Sequence, residues 1–228
     1  MTCGAVSFEW DDPGLPSPSP GPNRGPFREP TPWDGSRPPI IVMHGSLDHH
    51  HLRDIALAAM DRVCRELPNA IWRFVGHKTE ALNSFLEKQQ RHAPGAKIEC
   101  TGFVPYSEVS KHLPSADLGI IPYEESTGTH SAFVAKIVEY LATGLPVVST
   151  SIKSAQTYFQ NEPTVKFAGF DGIRFGEAIL ESLRKPVPNL REAARKASDR
   201  VKRELDWRAI SRKAVDFVEK IYNESRSR

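Results

Sequence analysis

The sequence lacks most of what would commit a chain to a membrane, a disulfide framework or a nucleic acid. No run approaches the ~18 consecutive apolar residues of a membrane helix, and no basic stretch followed by an apolar one marks a leader at the N-terminus. Cysteines number three, Cys3, Cys64 and Cys100, and none pairs at metal-ligand spacing. An odd, sparse set points to a reducing compartment. Formal net charge is only +2, too little for the electrostatic footprint of a nucleic-acid binder. The expectation is a soluble, cytoplasmic protein with no nucleic-acid partner; contact with a membrane surface stays open. Lys and Arg are denser over residues 184–228, which reads as a solvated helix face.

Catalytic signatures are missing as well. Gly-x-x-x-x-Gly-Lys-Ser/Thr is absent, so P-loop phosphate chemistry is not expected. Neither Gly-x-Gly-x-x-Gly after the first apolar run nor the Gly-x-Ser-x-Gly nucleophile elbow occurs. His49-His50-His51 looks like a metal site at first sight. Neighbouring helical side chains point about 100° apart, so three in a row do not share one ion there. That triplet reads as a solvated loop or helix start, and neither metal nor cofactor is expected.

What is present divides the chain in two. Nine of its nineteen prolines fall within residues 1–38. Proline removes a donor and fixes φ, so this stretch forms neither helix nor interior strand; it reads as a flexible or extended segment. Trp10 and Trp33 are its candidates for local docking. From Pro39 onward, short apolar runs alternate with helical periodicity. Strands are predicted at 39–45, 70–76, 97–102, 117–122, 145–149 and 164–168. Helices are predicted at 51–67, 79–92, 106–113, 131–143, 172–185, 189–204 and 207–224. The fold class is α/β: a single Rossmann-like parallel sheet of about six strands with helices on both faces and a C-terminal helical extension, spanning 39–228.

Such sheets bind ligands beyond the carboxyl ends of their strands. Gly45, Gly76 and Gly102 each close a predicted strand, either to permit tight turns or to let a ligand approach the backbone. Residues 117–150 are the most informative. The fourth strand leads into a polar loop from Tyr123 to Ser131, and the helix read from 131 would present free N–H groups and partial positive charge, suited to a diphosphate. Lys136 adds a full charge, and Glu139 lies one turn on, on nearly the same face. Together they would suit a nucleoside diphosphate. A solvated Lys–Glu pair worth a few tenths of a kcal/mol is the competing reading.

The run Lys136-Ile-Val-Glu139-Tyr-Leu-Ala-Thr-Gly144-Leu-Pro146-Val-Val, preceded by Pro122-Tyr123 and the polar loop, resembles the nucleotide-sugar site of the GT-B glycosyltransferases, especially the group 1 C-terminal domain. Gly45-Ser46-Leu47, Phe74-Val75-Gly76, Gly102-Phe103-Val104-Pro105, 113–117 and Leu205-Asp206-Trp207 follow in the family's order, so the resemblance covers about 40–224. It implies that Glu139 binds the donor ribose. Lys136 and the backbone of Gly128, Thr129, His130 and Ser131 would hold the diphosphate, with Lys136 stabilising the leaving group. Gly45, Ser46 and Leu47 would line the phosphate and base side, Phe103 and Val104 would meet the base, and Tyr123 would face the pocket or cap the sheet edge.

Two departures qualify the resemblance. Many retaining members carry a second Glu seven residues before the ribose Glu; here that position is Ala132, with Glu124 and Glu125 displaced. Lys136 with Glu139-Tyr140 looks closer to the xanthan-type glucuronosyltransferases, so retention and inversion both stay open. The second departure is that a proline-rich stretch stands where the family has an acceptor domain. The resemblance implies glycosyl transfer from a nucleoside-diphosphate sugar, a UDP-sugar foremost, to a glycan, lipid-linked or small-molecule acceptor, as in polysaccharide or glycolipid biosynthesis. A separate acceptor-domain subunit or self-association would then complete the enzyme. The alternative is a non-catalytic nucleotide-sugar-binding module or truncated remnant. An apolar stripe at Ile210, Ala214, Phe217 and Ile221 would serve either outcome as a contact face.

Overall fold

Along β1 (Ile40–His44) successive side chains are buried on both sides of the backbone. Ile41 and Met43 enter one hydrophobic core and Val42 the other. The same division recurs at β4 (Leu118–Ile121), where Leu118 and Ile120 face the first core and Ile121 the second. At β5 (Val147–Thr150) Val148 and Val147 divide likewise. A strand apolar on both faces belongs inside a helix-covered parallel sheet. In the computed structural model, which describes residues 27–49 and 52–226, these strands join β2 (Ile71–Val75), β3 (Lys97–Cys100) and β6 (Val165–Ala168) in one sheet. Its order is β3-β2-β1-β4-β5-β6 and every pairing is parallel. Cys3, Trp10, His50 and His51 lie outside the described residues.

The first core is covered by α1 (Asp54–Glu66), α2 (Glu80–His92) and α7 (Gly172–Arg184). Gly172 and Gly176 bring α7 close to α1; a Cβ on Gly176 would stand 2.8 Å from the Cβ of Arg62. The second core is covered by α3 (Tyr106–His112), α5 (Ala135–Thr143), α6 (Lys153–Phe159) and α8 (Leu190–Glu204). α9 (Trp207–Arg226) packs against the end of α8. It leaves Val215, Phe217, Val218, Ile221 and Tyr222 about half exposed or more. Among the described residues no helix is long and apolar enough to cross a membrane.

Two elements depart from the sequence expectation. The helix predicted from 131 to 143 is two helices, α4 (Thr127–Ser131) and α5. Ser126 starts the first one early through a capping box with Thr129. Ala132 then turns extended, and Val134 leaves helical geometry while its side chain is buried in the second core. Burial of one branched side chain thus outweighs continuation of the helix. The other departure is α6, for which no helix is predicted; Ala155 and Phe159, one turn apart on it, fill the second core.

Residues 27–38 form neither helix nor strand, and they lie along the amino ends of the strands. Arg28 N–H donates to the Thr143 carbonyl at 3.2 Å, and its guanidinium to the Pro114 carbonyl at 2.5 Å. Arg37 grips Asp117 with two bonds of 2.8 and 2.5 Å. The same carboxylate accepts the Ile40 N–H at 2.8 Å, which joins the segment to β1. Trp33 packs half-buried against the first core, its indole N–H bonded to the Arg37 carbonyl at 2.7 Å. Beneath this segment lies a cavity of about 500 Å³ bordered by Trp33, Asp117, Pro146, Lys166 and Leu190.

Candidate functional site

The chain order reverses direction in the sheet between β1 and β4, so the crevice beyond their carboxyl ends is the topological switch point. That crevice is built from three short segments. Gly45 follows β1 with φ at +96°, a conformation that glycine adopts without a Cβ penalty. Its N–H donates to the Val75 carbonyl at 2.9 Å. A Cβ on Gly76 would overlap the carbonyl oxygen of Gly45, and Gly76 in turn bridges Gly102. The three strand-end glycines therefore form one continuous strip of bare backbone, from the switch point out to Phe103.

Tyr123 follows β4. Its carbonyl accepts the Thr150 hydroxyl at 3.0 Å, which ties the loop to β5, and its ring is largely buried in the second core. Lys136, in the first turn of α5, donates from Nζ to the Tyr123 hydroxyl at 2.9 Å. The same ammonium stands 5.3 Å from the Tyr123 ring centre. Its stem crosses Gly45 closely enough that a Cβ there would lie 2.8 Å from Lys136 Cε. Desolvation lowers the Lys136 pKa to about 8, against the opposing pull of the Asp48 and Glu139 carboxylates. Burial raises the Tyr123 pKa well above its ordinary value, so this phenol stays protonated. Val134, at the N-cap of α5, makes no side-chain cap bond, so the positive end of that helix is available to an anion at the crevice.

Glu139 sits one turn further along, its side chain 14% exposed, with Oε2 at 3.0 Å from Nε2 of His44. Tyr140 fixes the depth of α5. Its ring lies against Gly119, where a Cβ would stand 2.8 Å from the ring carbons, and its hydroxyl donates to the Val42 carbonyl and accepts the His44 N–H, both at 3.3 Å. At the other end Gly144 closes α5 in the left-handed region. Its N–H reaches Leu141 O at 3.0 Å and that of Leu145 reaches Tyr140 O at 2.9 Å. This is the Schellman pattern of bonds. The glycine of the informative run is thus a helix stop, remote from the crevice.

Among the predicted site residues the structure gathers Gly45, Tyr123, Lys136 and Glu139, and a solvated Lys–Glu pair does not describe what it finds. Lys136 is bonded to Tyr123 and Glu139 faces a buried histidine. Ser46 is exposed beside Gly45. Leu47 is buried in the first core, so only its backbone faces outward, and its carbonyl accepts the Thr79 hydroxyl. Phe103 is 74% exposed at the end of the glycine strip, while Val104 packs against the second core.

The side chains of the loop residues bond within the loop and to its neighbours. Thr129 is buried and donates to the Glu124 and Ser126 carbonyls, and Ser131 donates to that of Thr127. His130 accepts the Lys153 N–H at 3.3 Å and stands edge-on to Phe170. With α5 starting at Ala135, the helix end nearest Lys136 belongs to 134–136, and Gly128 lies in the first turn of α4 instead. Glu124 accepts the Ile55 N–H at 3.0 Å and so caps α1. Sequence reasoning missed His44 and Asp48. Both flank Gly45, and a polar residue at the end of an otherwise apolar strand was the available signal.

Comparison with known proteins agrees with this fold. The family described as glycosyl transferases group 1 matches residues 38–185. The putative teichuronic acid biosynthesis glycosyltransferase TuaH of Bacillus subtilis (strain 168) is 27% identical over 118 residues, covering 52% of this chain and 29% of its own length. The sucrose-phosphate synthase of Thermosynechococcus elongatus superposes with a TM-score of 0.65 at 16% identity, over 85% of this chain and 47% of that one. A variant of S. aureus TarM, solved with Fondaparinux, alpha-GlcNAc-glycerol and UDP, gives 0.58 at 13% identity, over 83% and 38%. This chain therefore spans less than half the length of each of these three proteins.

Proposed function

The chain belongs to the glycosyl transferases group 1 family, and we propose that it is the donor-binding half of a GT-B glycosyltransferase that takes a nucleoside-diphosphate sugar, a UDP-sugar foremost. The observation that carries this reading is the partly buried Lys136 ammonium, held between Gly45 and Tyr123 at the sheet's switch point with Glu139 one turn away. The diphosphate would lie over the bare backbone of Gly45, against Lys136 and the uncapped end of α5. The ribose would meet Glu139. The glycine strip leads from there toward Phe103 and Val104 for the base. UDP in the TarM complex supports that choice of nucleotide.

In the transfer the bond between the sugar's anomeric carbon and the β-phosphate oxygen breaks, and its electron pair leaves with the diphosphate. The acceptor hydroxyl oxygen forms the new bond and releases its proton. Charge grows on the leaving oxygen during this step, and a positive group already desolvated opposite that oxygen stabilises the transition state more than the ground state. Lys136 is in that condition, because burial has already weakened its hold on its proton and the diphosphate restores it.

The crevice is an open rim, and the cavity of about 500 Å³ lies at the opposite end of the strands. Excluding water from such a rim takes a second surface, which an acceptor-binding half would provide. The acceptor would be a glycan, a lipid-linked sugar or a small molecule; the teichuronic acid relative favours polysaccharide synthesis. The test is calorimetric titration of the 228-residue chain with UDP, GDP and ADP. Binding of one of them, lost in Lys136→Met, is expected. No binding of any at millimolar concentration overturns the proposal.

A further inference from the structure

His44 closes β1 and is 3% exposed. Among the described residues its Nε2 has no hydrogen-bond partner, although it stands 3.0 Å from Glu139 Oε2. The two statements fit one geometry: the carboxylate is at ion-pair distance but off the line of an N–H bond. A buried polar atom left in this way calls for a cause. Packing supplies the ring's orientation but not its chemistry. The imidazole stands edge-on to the Tyr140 ring, at 4.8 Å and 84°, and its backbone N–H donates to the Tyr140 hydroxyl. An apolar side chain would fill this strand end without an orphaned nitrogen.

We infer that His44 is a positioning residue for the donor ribose: it holds one oxygen of the Glu139 carboxylate, so that the other is presented to the 2′- and 3′-hydroxyls. This rests on the reading of Glu139 as the ribose partner. A glutamate has three rotatable bonds, and freezing them on binding offsets part of the gain from the sugar hydroxyls. Here the carboxylate is fixed beforehand by a ring that is itself locked between β1 and Tyr140. The other charged and titratable groups around this contact are Lys136 on α5, Tyr123 after β4 and Asp48 after β1. Lys136 is read on the phosphate side of the crevice, and His44 brings its Nε2 to 3.0 Å from the Glu139 carboxylate.

The test compares UDP with 2′,3′-dideoxy-UDP, and GDP with its dideoxy form as a second probe, on the 228-residue chain. The ratio of the two dissociation constants measures what the ribose hydroxyls contribute. Hydrogen bonds to a charged acceptor predict a ratio of about tenfold or more for the wild type. In Glu139→Ala the ratio falls to about one. His44→Phe is expected to lower the ratio at least threefold while the affinity for the dideoxy ligand changes less than twofold. His44→Gln, which keeps a donor at similar reach, restores part of the ratio and stands in if the Phe variant does not fold. A merely structural role for His44 would weaken both ligands together and leave the ratio unchanged, and that result overturns the inference. If Glu139→Ala itself leaves the ratio unchanged, the ribose assignment fails first and the inference with it.

Discussion

The side chain of Lys136 lies across the backbone of Gly45, where a Cβ would stand 2.8 Å from its Cε and 3.4 Å from its Nζ. Gly45→Ala therefore acts twice. The alanine must adopt a φ of +96°, a strain of roughly 1–3 kcal/mol, and it pushes the ammonium off the crevice floor. The expected outcome is a lower midpoint in thermal unfolding together with about tenfold weaker UDP binding, a shift that corresponds to about 1.4 kcal/mol. Titration calorimetry beside a melting curve separates the two effects. Unchanged affinity in a destabilised variant would remove Lys136 from the diphosphate.

Stability and binding should respond to alkaline pH in opposite directions. The Lys136 pKa is lowered by burial to about 8, below the ordinary 10.5. Below pH 8 both the folded and the unfolded chain carry this charge, and the burial penalty is present in full. From about pH 8 to 10.5 the folded chain has released the proton and the unfolded chain has not, so this group adds stability as pH rises. If the diphosphate binds against the ammonium as proposed, affinity falls over the same window and each binding event takes up a proton. Calorimetry at pH 9 in buffers of different ionisation enthalpy reads that uptake, and Lys136→Met should abolish it.

Tyr123→Phe removes the hydroxyl to which Lys136 donates at 2.9 Å. One hydrogen bond contributes a net ~0.5–1.5 kcal/mol, so UDP affinity should fall about two- to tenfold. The ring stays in the second core, and the melting temperature should move little. A loss as large as that of Lys136→Met would mean that the phenol contacts the ligand itself.

Gly119→Ala tests what sets the height of α5. A Cβ there would press on the Tyr140 ring at 2.8 Å, and overpacking of this kind costs about 1–3 kcal/mol. A matching drop in the denaturation midpoint is expected. So is a loss of UDP affinity without any change at the ligand, because Tyr140 carries the helix that bears Lys136 and Glu139.

The half-exposed face of α9 predicts the reverse pattern. Phe217 and Ile221 are 64% and 49% exposed, and surface substitutions usually stay within about 0.5 kcal/mol. Phe217→Glu combined with Ile221→Glu should leave the melting temperature nearly unchanged and reduce self-association in sedimentation velocity. A large loss of stability would mean that this face is already covered within the chain.

The sheet was legible because it follows from a local rule. Among the described residues, apolar runs of about five residues, each closed by a turn residue, located all six strands to within two or three residues, and periodicity located seven of the nine helices. The break between α4 and α5 was not legible. It depends on Val134 reaching a core made of distant residues, a tertiary effect that overrides a good helical pattern. α6 was missed because seven residues give little periodicity. The spacing of Lys136 and Glu139 puts them on one face of a helix, and α5 carries both. His44 shows in the sequence only as a polar end to an apolar strand; its contact with Glu139, ninety-five positions away, depends on the parallel pairing of β1 with β4.

Gly144 stops α5 at the end away from the crevice, where Phe27 and Arg28 close over it. The nine residues of that helix, at 1.5 Å each, make a rigid arm of roughly 13 Å. A tilt of about 5° at its fulcrum displaces Lys136 by about 1 Å, an error on the scale that can cost an enzyme two orders of magnitude in rate. Alignment of the charged groups is thus calibrated from the far pole of the molecule, and a disturbance under the proline-rich segment would be felt at the crevice as loss of aim.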